Sequence, residues 1–291
     1  MAKPTYVIAT DLSLHSRRAA GIAVRVAART RAALDFFCAV PADVVDEYGT
    51  DLDRARAAVA ALARQCADDV GREAAAHVAV VRDVPAAILR HVRRSGATLL
   101  VVAPHGVTGW KRVMLGSVTE KVLRHASGSV LVARGEGGAP LKRVLVGVVP
   151  GPGGAAPLRH AIALSRALGA ELTVLHAVRP AELLLPLVAP VDRALRVSDE
   201  RLATKTRDAG RWVASFPARG VHIEVLVLEG SPAETLVGEA RRRRADLVVV
   251  GAAEDARLRR ALLGSVSHAV ASVSPASVLV VRGFEKKESK S

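Results

Sequence analysis

The chain has little of what disulfide cross-linking, membrane insertion or base stacking requires. Only two of its 291 residues are cysteines, Cys38 and Cys66, both in the first half. Two thiols cannot supply a disulfide framework, and they read as small buried apolar residues of a protein from a reducing, cytoplasmic compartment. Aromatic residues make up 3% of the chain, leaving few rings on which bases could stack. No apolar run reaches the roughly 18 to 20 residues of a membrane span. The opening residues MAKPTYVIAT hold one lysine and then enter a strand-like run, with no signal core or cleavage site. Net charge of +14 is the one feature that points toward nucleic acid, through counterion release. Its distribution argues against that partner. Residues 1–135 carry 19 Lys and Arg against 12 acidic residues, and the remainder 23 against 16, so neither half is a basic module. The arginine run 241–244 closes a helical segment, where cations suit the terminal dipole and a solvated face.

What the chain does have is repetition. Leu115–Arg134, LGSVTEKVLRHASGSVLVAR, returns at Leu263–Arg282 as LGSVSHAVASVSPASVLVVR, 148 positions later. A period of half the length marks two copies of one domain, each of a size that one hydrophobic core can organise. In the first copy, apolar runs at Tyr6–Thr10, Leu34–Val40, His77–Val81, Leu99–Ala103 and Val130–Ala133 read as buried strands. Helical stretches fall near 15–31, 44–72, 85–95 and 117–126, and the second copy repeats the order. Its strands are expected near 143–149, 172–178, 222–228, 247–251 and 278–281. Strict alternation implies an α/β fold of two tandem, doubly wound, five-stranded parallel-sheet domains. The expected boundaries are 1–135 and 141–283, joined by the glycine-rich linker Gly135–Pro140, with a frayed tail at 284–291. The apolar last strands suit pairing between domains or subunits, giving an intramolecular pseudo-dimer or a homodimer.

In an open parallel sheet, ligands bind beyond the carboxyl ends of the strands, where strand order reverses. In the first copy this edge collects Thr10 and Asp11 after strand one, Ala39 and Val40 after strand two, and Ala103-Pro104-His105-Gly106 after strand four. Gly116-Ser117 opens the last helix. A carboxylate at the first strand end can accept hydrogen bonds from ribose hydroxyls, while backbone groups at the second can read an adenine edge. Gly106 lacks a Cβ and lets phosphate oxygens approach its amide. Gly116, Ser117, Val118 and Thr119 present N–H groups and two hydroxyls at a helix N-terminus, an anion site. Lys111 and Arg112 could add positive charge. Each item also has a structural explanation: Ser117-x-x-Glu120 is a capping box, and Asp11 could cap the first long helix or its turn, although Ser13 and Ser16 are there for that task.

Taken with its spacing, Ala103-x2-Gly106-x9-Gly116-Ser117 together with Asp11, the chain resembles a tandem universal stress protein over about 280 residues. The resemblance implies Rossmann-like, adenine-nucleotide α-hydrolase-like domains. It also implies ATP, with or without Mg2+, in the N-terminal copy. Thr10 and Asp11 would then face ribose and base, and Ala39 would meet adenine through its backbone. Gly106, Gly116, Ser117, Val118 and Thr119 would hold the phosphates. Ala103 stands where the family motif has its first glycine, adding one methyl group. The second copy departs further, reading Gly251-x2-Glu254-x9-Gly264-Ser265, with Val148 or Val149 at the aspartate position. A carboxylate 4 Å from a phosphate charge costs about 4 kcal/mol at an effective dielectric of about 20, so the second copy is expected to have lost the nucleotide.

A rival motif, Gly151-Pro152-Gly153-Gly154-Ala155-Ala156, fits G-x-G-x-x-A between strand and helix, the dinucleotide fingerprint. Such a site wants an acidic residue at the end of the second strand, where Val178-Arg179 stand, so the segment reads instead as a proline-glycine turn with no ligand. No G-x4-G-K-[S/T] loop, G-x-S-x-G elbow or paired His/Cys metal spacing occurs, and no nucleophile-base set can be assembled. The expectation is a stress-response regulator that binds ATP and signals through conformation to a protein partner not identified by the sequence. The alternatives are a nucleotide-free interaction scaffold and a slow ATPase.

Overall fold

The computed structural model describes residues 4–48, 51–105, 115–179, 191–252 and 263–282. The first copy runs β1 (Thr5–Ala9), α1 (Leu14–Thr30), β2 (Ala33–Pro41), α2 (Ala42–Tyr48), α3 (Leu52–Val70), β3 (Ala74–Val81), α4 (Val84–Arg94), β4 (Leu99–Val102), α5 (Ser117–His125) and β5 (Ser129–Val132). The second runs β6 (Arg143–Gly147), α6 (Pro152–Leu168), β7 (Glu171–Val178), α7 (Val191–Ala214), β8 (Ile223–Glu229), α8 (Pro232–Arg242), β9 (Leu247–Gly251), α9 (Ser265–Val273) and β10 (Ser277–Val281). The α/β class expected from alternation is therefore observed. Helices α1 and α6 lie 138 positions apart, whereas β4 and β9 lie 148 apart. The extra residues of the second copy consequently fall between β7 and β8.

Two expectations are corrected. The stretch 44–72 is not one helix. Asp51 accepts hydrogen bonds from the N–H groups of Asp53 and Arg54 at 3.0 and 2.9 Å, so a new helix starts at Leu52. The third strand begins at Ala74, not His77, because β2 is nine residues long and pairs with β3 from Leu34↔Ala74 to Pro41↔Val81. Ala74–Ala76 carry too little apolar bulk to show that pairing in the sequence. The expected tail at 284–291 lies outside the described residues.

All ten strands join one sheet in the order β3-β2-β1-β4-β5-β10-β9-β6-β7-β8. Pairing within each copy is parallel; the copies meet at one antiparallel seam, Val130↔Val280, Leu131↔Leu279 and Val132↔Val278. One face is covered by α1, α3 and α6 through residues such as Ala23, Leu62 and Leu158. The other is covered by α4, α5, α8 and α9 through Ile88, Leu123, Leu236 and Val270. Among the described residues no helix is long and apolar enough to cross a membrane.

The seam is fastened symmetrically by two arginines that occupy equivalent positions. Arg134, just beyond β5, donates to the carbonyls of Ala271 and Ser272 at the end of α9, the latter at 3.2 Å. Arg282, just beyond β10, donates to the carbonyls of Leu123 and Arg124 at the end of α5, at 2.7 and 3.4 Å. Each guanidinium thus satisfies the orphan C=O groups at the other copy's helix C-terminus and complements its dipole. Burial pulls the Arg134 pKa down to about 10 and moves that of Arg282 in the same direction. The linker is fixed as well. Arg25 Nε donates to the Gly137 carbonyl at 2.8 Å, and a Cβ on Gly137 would lie 2.8 Å from the Arg18 carbonyl oxygen. Only glycine fits that approach.

Replacing Arg134 by alanine leaves buried carbonyls without donors, which typically costs about 1–3 kcal/mol. The urea midpoint of Arg134→Ala should fall accordingly, whereas Arg124→Ala, on the exposed face of α5, should barely move it. Equal midpoints for the two variants would show that the clasp does not hold the seam.

Candidate functional site

Neighbouring strands β1 and β4 hand their chains to opposite faces. After β1 the chain enters α1 on one face; after β4 it leads to α5 on the other. The carboxyl ends of these two strands therefore flank an opening, the crevice in which such sheets hold ligands. Most of the described site residues predicted from sequence lie along this edge.

Thr10 is buried and continues the β1 ladder, its N–H donating to the Phe37 carbonyl at 3.0 Å. Its hydroxyl lies 3.0 Å from the Ser16 hydroxyl and accepts from the Leu12 N–H. That hydroxyl is spent on the turn and sets where the next residue points. Asp11 follows, exposed, with Oδ1 accepting from the Ser13 N–H at 3.0 Å. Partial burial opposes its ionisation, but hydrogen bonds from Ser13 and Ser16 prevail and hold its pKa below the usual aspartate value of 3.8. Asp11 is not the helix cap, because Ser13 accepts from the Ser16 N–H in that role. Its charge reaches β2, where burial and the Asp11 carboxylate together push the Cys38 thiol up to about 11. Cys38 precedes Ala39, which pairs with Ala79 of β3 and is half-buried.

On the other side, Ala103 is buried in the layer that contains α1, so its added methyl packs into the core. Thr119 is buried, and its hydroxyl donates to the Ala103 carbonyl at 2.7 Å, tying α5 to the end of β4. The Gly116 N–H donates to the Pro104 carbonyl at 2.8 Å. Gly116, not Ser117, is the N-cap of α5, and no side chain caps the helix. The expected Ser117–Glu120 capping box is thus overturned, and Glu120 bonds Arg124 at 3.1 Å instead. The chain enters α5 one residue earlier than that motif requires because Gly116 is already anchored to Pro104. Ser117 is exposed, while Val118 packs partly into the core. Both sit in the first turn with Thr119, and first-turn N–H groups have no intrahelical acceptor. Gly106, Lys111 and Arg112 lie outside the described residues. The His105 pKa is lowered by burial, by Arg134 and by His15, whose ring centroid is 6.4 Å away.

The second copy repeats this scaffold with different side chains. The Val148 N–H donates to Leu175 as Thr10 does to Phe37, which puts Val148 and Val149 in the places of Thr10 and Asp11. Ser267 donates to the Gly251 carbonyl as Thr119 does to Ala103. Gly264 caps α9 without a side-chain bond. Glu254 lies outside the described residues. Here a cavity of about 620 Å³ opens between Val148–Gly154, Gly251 and the first turn of α9. The glycine motif has structural causes. Gly151 adopts φ +134°, and a Cβ on Gly154 would lie 2.2 Å from the Val149 carbonyl oxygen. The cavity lies against the segment that carries the rival motif, Gly151–Ala156, whose lack of bulky side chains leaves the space open.

The profile of the Universal stress protein family matches the chain twice, over residues 5–134 and 140–282. The chain belongs to this family, whose role is in the stress response. A universal stress protein of Mycolicibacterium smegmatis is 32% identical over 190 residues, covering 64% of this chain and 62% of that protein. Universal stress protein YxiE of Bacillus subtilis is 26% identical over 48% of this chain and 98% of its own length. Among solved structures, a functionally unknown protein of Pseudomonas aeruginosa PAO1 has a TM-score of 0.70 at 19% identity, covering 96% and 92% of the two chains. A universal stress protein of Archaeoglobus fulgidus has a TM-score of 0.63 at 18% identity, covering 96% and 97%. These last two likenesses concern the fold.

The lowered pKa of Asp11 has a definite sign. Stability that depends on its charge is fully present above the ordinary carboxylate value and is lost as pH falls through the lower folded value. In urea unfolding, the advantage of wild type over Asp11→Ala should be constant near neutrality and shrink below about pH 4. An advantage that grows on acidification would contradict the hydrogen-bond assignment.

Proposed function

We propose that the N-terminal copy binds an adenine nucleotide, ATP with Mg2+, and that the protein is a cytoplasmic stress-response regulator. In this reading it works by binding, with ATP hydrolysis at most slow. The observation that carries the proposal is an α5 N-terminus with no side-chain cap, tied to the end of β4, beside whose neighbour β1 the chain continues into the ionised Asp11. The two ends have complementary tasks. Amides and the helix dipole attract phosphate, while a carboxylate that stays charged accepts from ribose hydroxyls. The methyl of Ala103 packs into the core, so the departure from the family motif is compatible with a ligand. Arg134, whose charge reaches His105, adds positive charge on the β5 side. A bound nucleotide would favour one arrangement of the chain around the crevice, and a protein partner could distinguish loaded from empty forms.

One observation favours a second reading. The cavity of about 620 Å³ belongs to the C-terminal copy and lies within the size range of small-molecule sites. It has uncapped amides at α9 but valines where the carboxylate would stand, which removes the group that recognises ribose. The first reading is therefore preferred for a nucleotide.

Photo-crosslinking with 8-azido-ATP, followed by peptide mapping, separates the two. The label should fall on the β2 region, residues 33–48, and be competed by ATP. Competable label confined to residues 171–179 would move the nucleotide to the second copy, and absence of competable label would contradict nucleotide binding in either.

A further inference from the structure

Away from the crevice, on the face of the sheet covered by α4, the first copy gathers three metal-ligating side chains from three elements. Asp35 lies on β2, His77 on β3 and His91 in the last turn of α4. Asp35 and Phe37 share a face because strand side chains alternate. Phe37 pairs with His77 across the ladder and stacks on the His91 ring, with centroids 4.3 Å apart. The result is one buried carboxylate beneath two imidazoles whose ring centroids are 5.0 Å apart. Asp35 Oδ2 lies 2.8 Å from His91 Nε2, and Asp35 Oδ1 lies 3.5 Å from His77 Nε2. One ligand atom from each residue can be chosen so that all three lie within 4.8 Å of one another.

We propose that Asp35, His77 and His91 form a binding site for a divalent transition-metal ion of the zinc type. Two independent observations point there. First, Asp35 is only 6% exposed, and its Oδ1 is buried with no hydrogen-bond partner among the described residues. A buried carboxylate oxygen is rarely left so, and a cation beside it supplies what the fold does not. Second, the spacing suits the ion. Bonds of about 2.0–2.2 Å in a tetrahedral arrangement set donor atoms about 3.4 Å apart, and here each carboxylate oxygen has one imidazole nitrogen near that distance, 2.8 Å for His91 and 3.5 Å for His77. The His77 side chain is 52% exposed, on the sheet's outermost strand. An ion can thus enter from solvent, and water can complete the coordination. Three protein ligands with one open position are typical of accessible zinc sites.

The second copy shows that the fold does not demand this cluster. By the offset of its helices, Glu239 takes the place of His91, and by sheet register Thr173 takes that of Asp35. There Arg243 donates to Thr173, Glu224 and Glu239. Protein cations satisfy that set internally. Among the described residues, the first copy has no arginine or lysine in the corresponding contact, only the two histidines and an oxygen without a hydrogen bond.

The test uses untagged full-length protein stripped of metal by a chelator and titrated with Co2+, read by its visible ligand-field absorption, then with Zn2+ as competitor. One equivalent of Co2+ should bind with the intense bands of a low-coordinate site and be displaced by Zn2+. His77→Ala, at an exposed position that should leave the fold intact by circular dichroism, should weaken binding tenfold or more. Zn2+ should raise the melting temperature of wild type and not of that variant. Asp35→Asn should also lose the bands if it folds, but His77→Ala decides the matter alone. No bands in wild type, or bands and affinity unchanged in His77→Ala, would overturn the assignment.

Discussion

The site depends on one constraint, the divergence of the chain at the carboxyl ends of β1 and β4. Parallel strands place all their carboxyl ends on one edge, and only where successive connections go to opposite faces does that edge open. The opening is then held rigid from both sides. On one side the Thr10 N–H extends the ladder to Phe37 and the Thr10 hydroxyl organises the turn to Ser13 and Ser16. On the other, Thr119 and Gly116 tie the first turn of α5 to Ala103 and Pro104. Two hydroxyls that resemble ligand contacts in the sequence are thus engaged in scaffolding. Beside them stand the Asp11 carboxylate, after β1, and the first-turn amides of α5, after β4.

Comparison of the copies separates scaffold from chemistry. Both keep the bond from the strand-one end to strand two, the bond from the last helix to strand four, and the arginine that clasps the opposite copy. These contacts are therefore requirements of the fold. The copies differ where a ligand would be recognised. Thr10 and Asp11 become Val148 and Val149, and Ser16 becomes Gly154, which packs against Val149 and Trp212. The cluster of Asp35 and His91 becomes Thr173 and Glu239 closed by Arg243. Differences of this kind change charge and hydrogen bonding, and after the first strand the turn itself, where Gly151 at φ +134° stands in the place of Ser13 at φ -64°, as expected when one copy carries functions that the other does not. Arg134 touches both copies, contacting α9 while its charge also lowers the pKa of His105 at the end of β4.

The architecture was legible in the sequence because buried parallel strands are short, continuous apolar runs such as Leu99–Ala103, and these stand out between polar helices. The repeat made every assignment in one copy a check on the other. The edge of the site was legible too, since strand ends follow directly from strand positions. Less legible was anything decided by where the chain comes from in space. Ser117 matches a capping motif, yet the bond from Gly116 to Pro104 fixes the helix start one residue earlier. The break at Asp51 hides inside a continuous helical period. Asp35, His77 and His91 have no telling spacing because each belongs to a different element, and only sheet register brings them together.

The central claim is that one of the two copies carries nucleotide chemistry and that Asp11 is part of it. Isothermal titration of the full chain with Mg-ATP tests this most directly, because it counts sites as well as measuring affinity. The account predicts one nucleotide per chain and, for Asp11→Ala, an affinity about tenfold lower or worse, the scale of losing a hydrogen bond to a charged group. Two nucleotides per chain, none, or a single site indifferent to Asp11→Ala would contradict it.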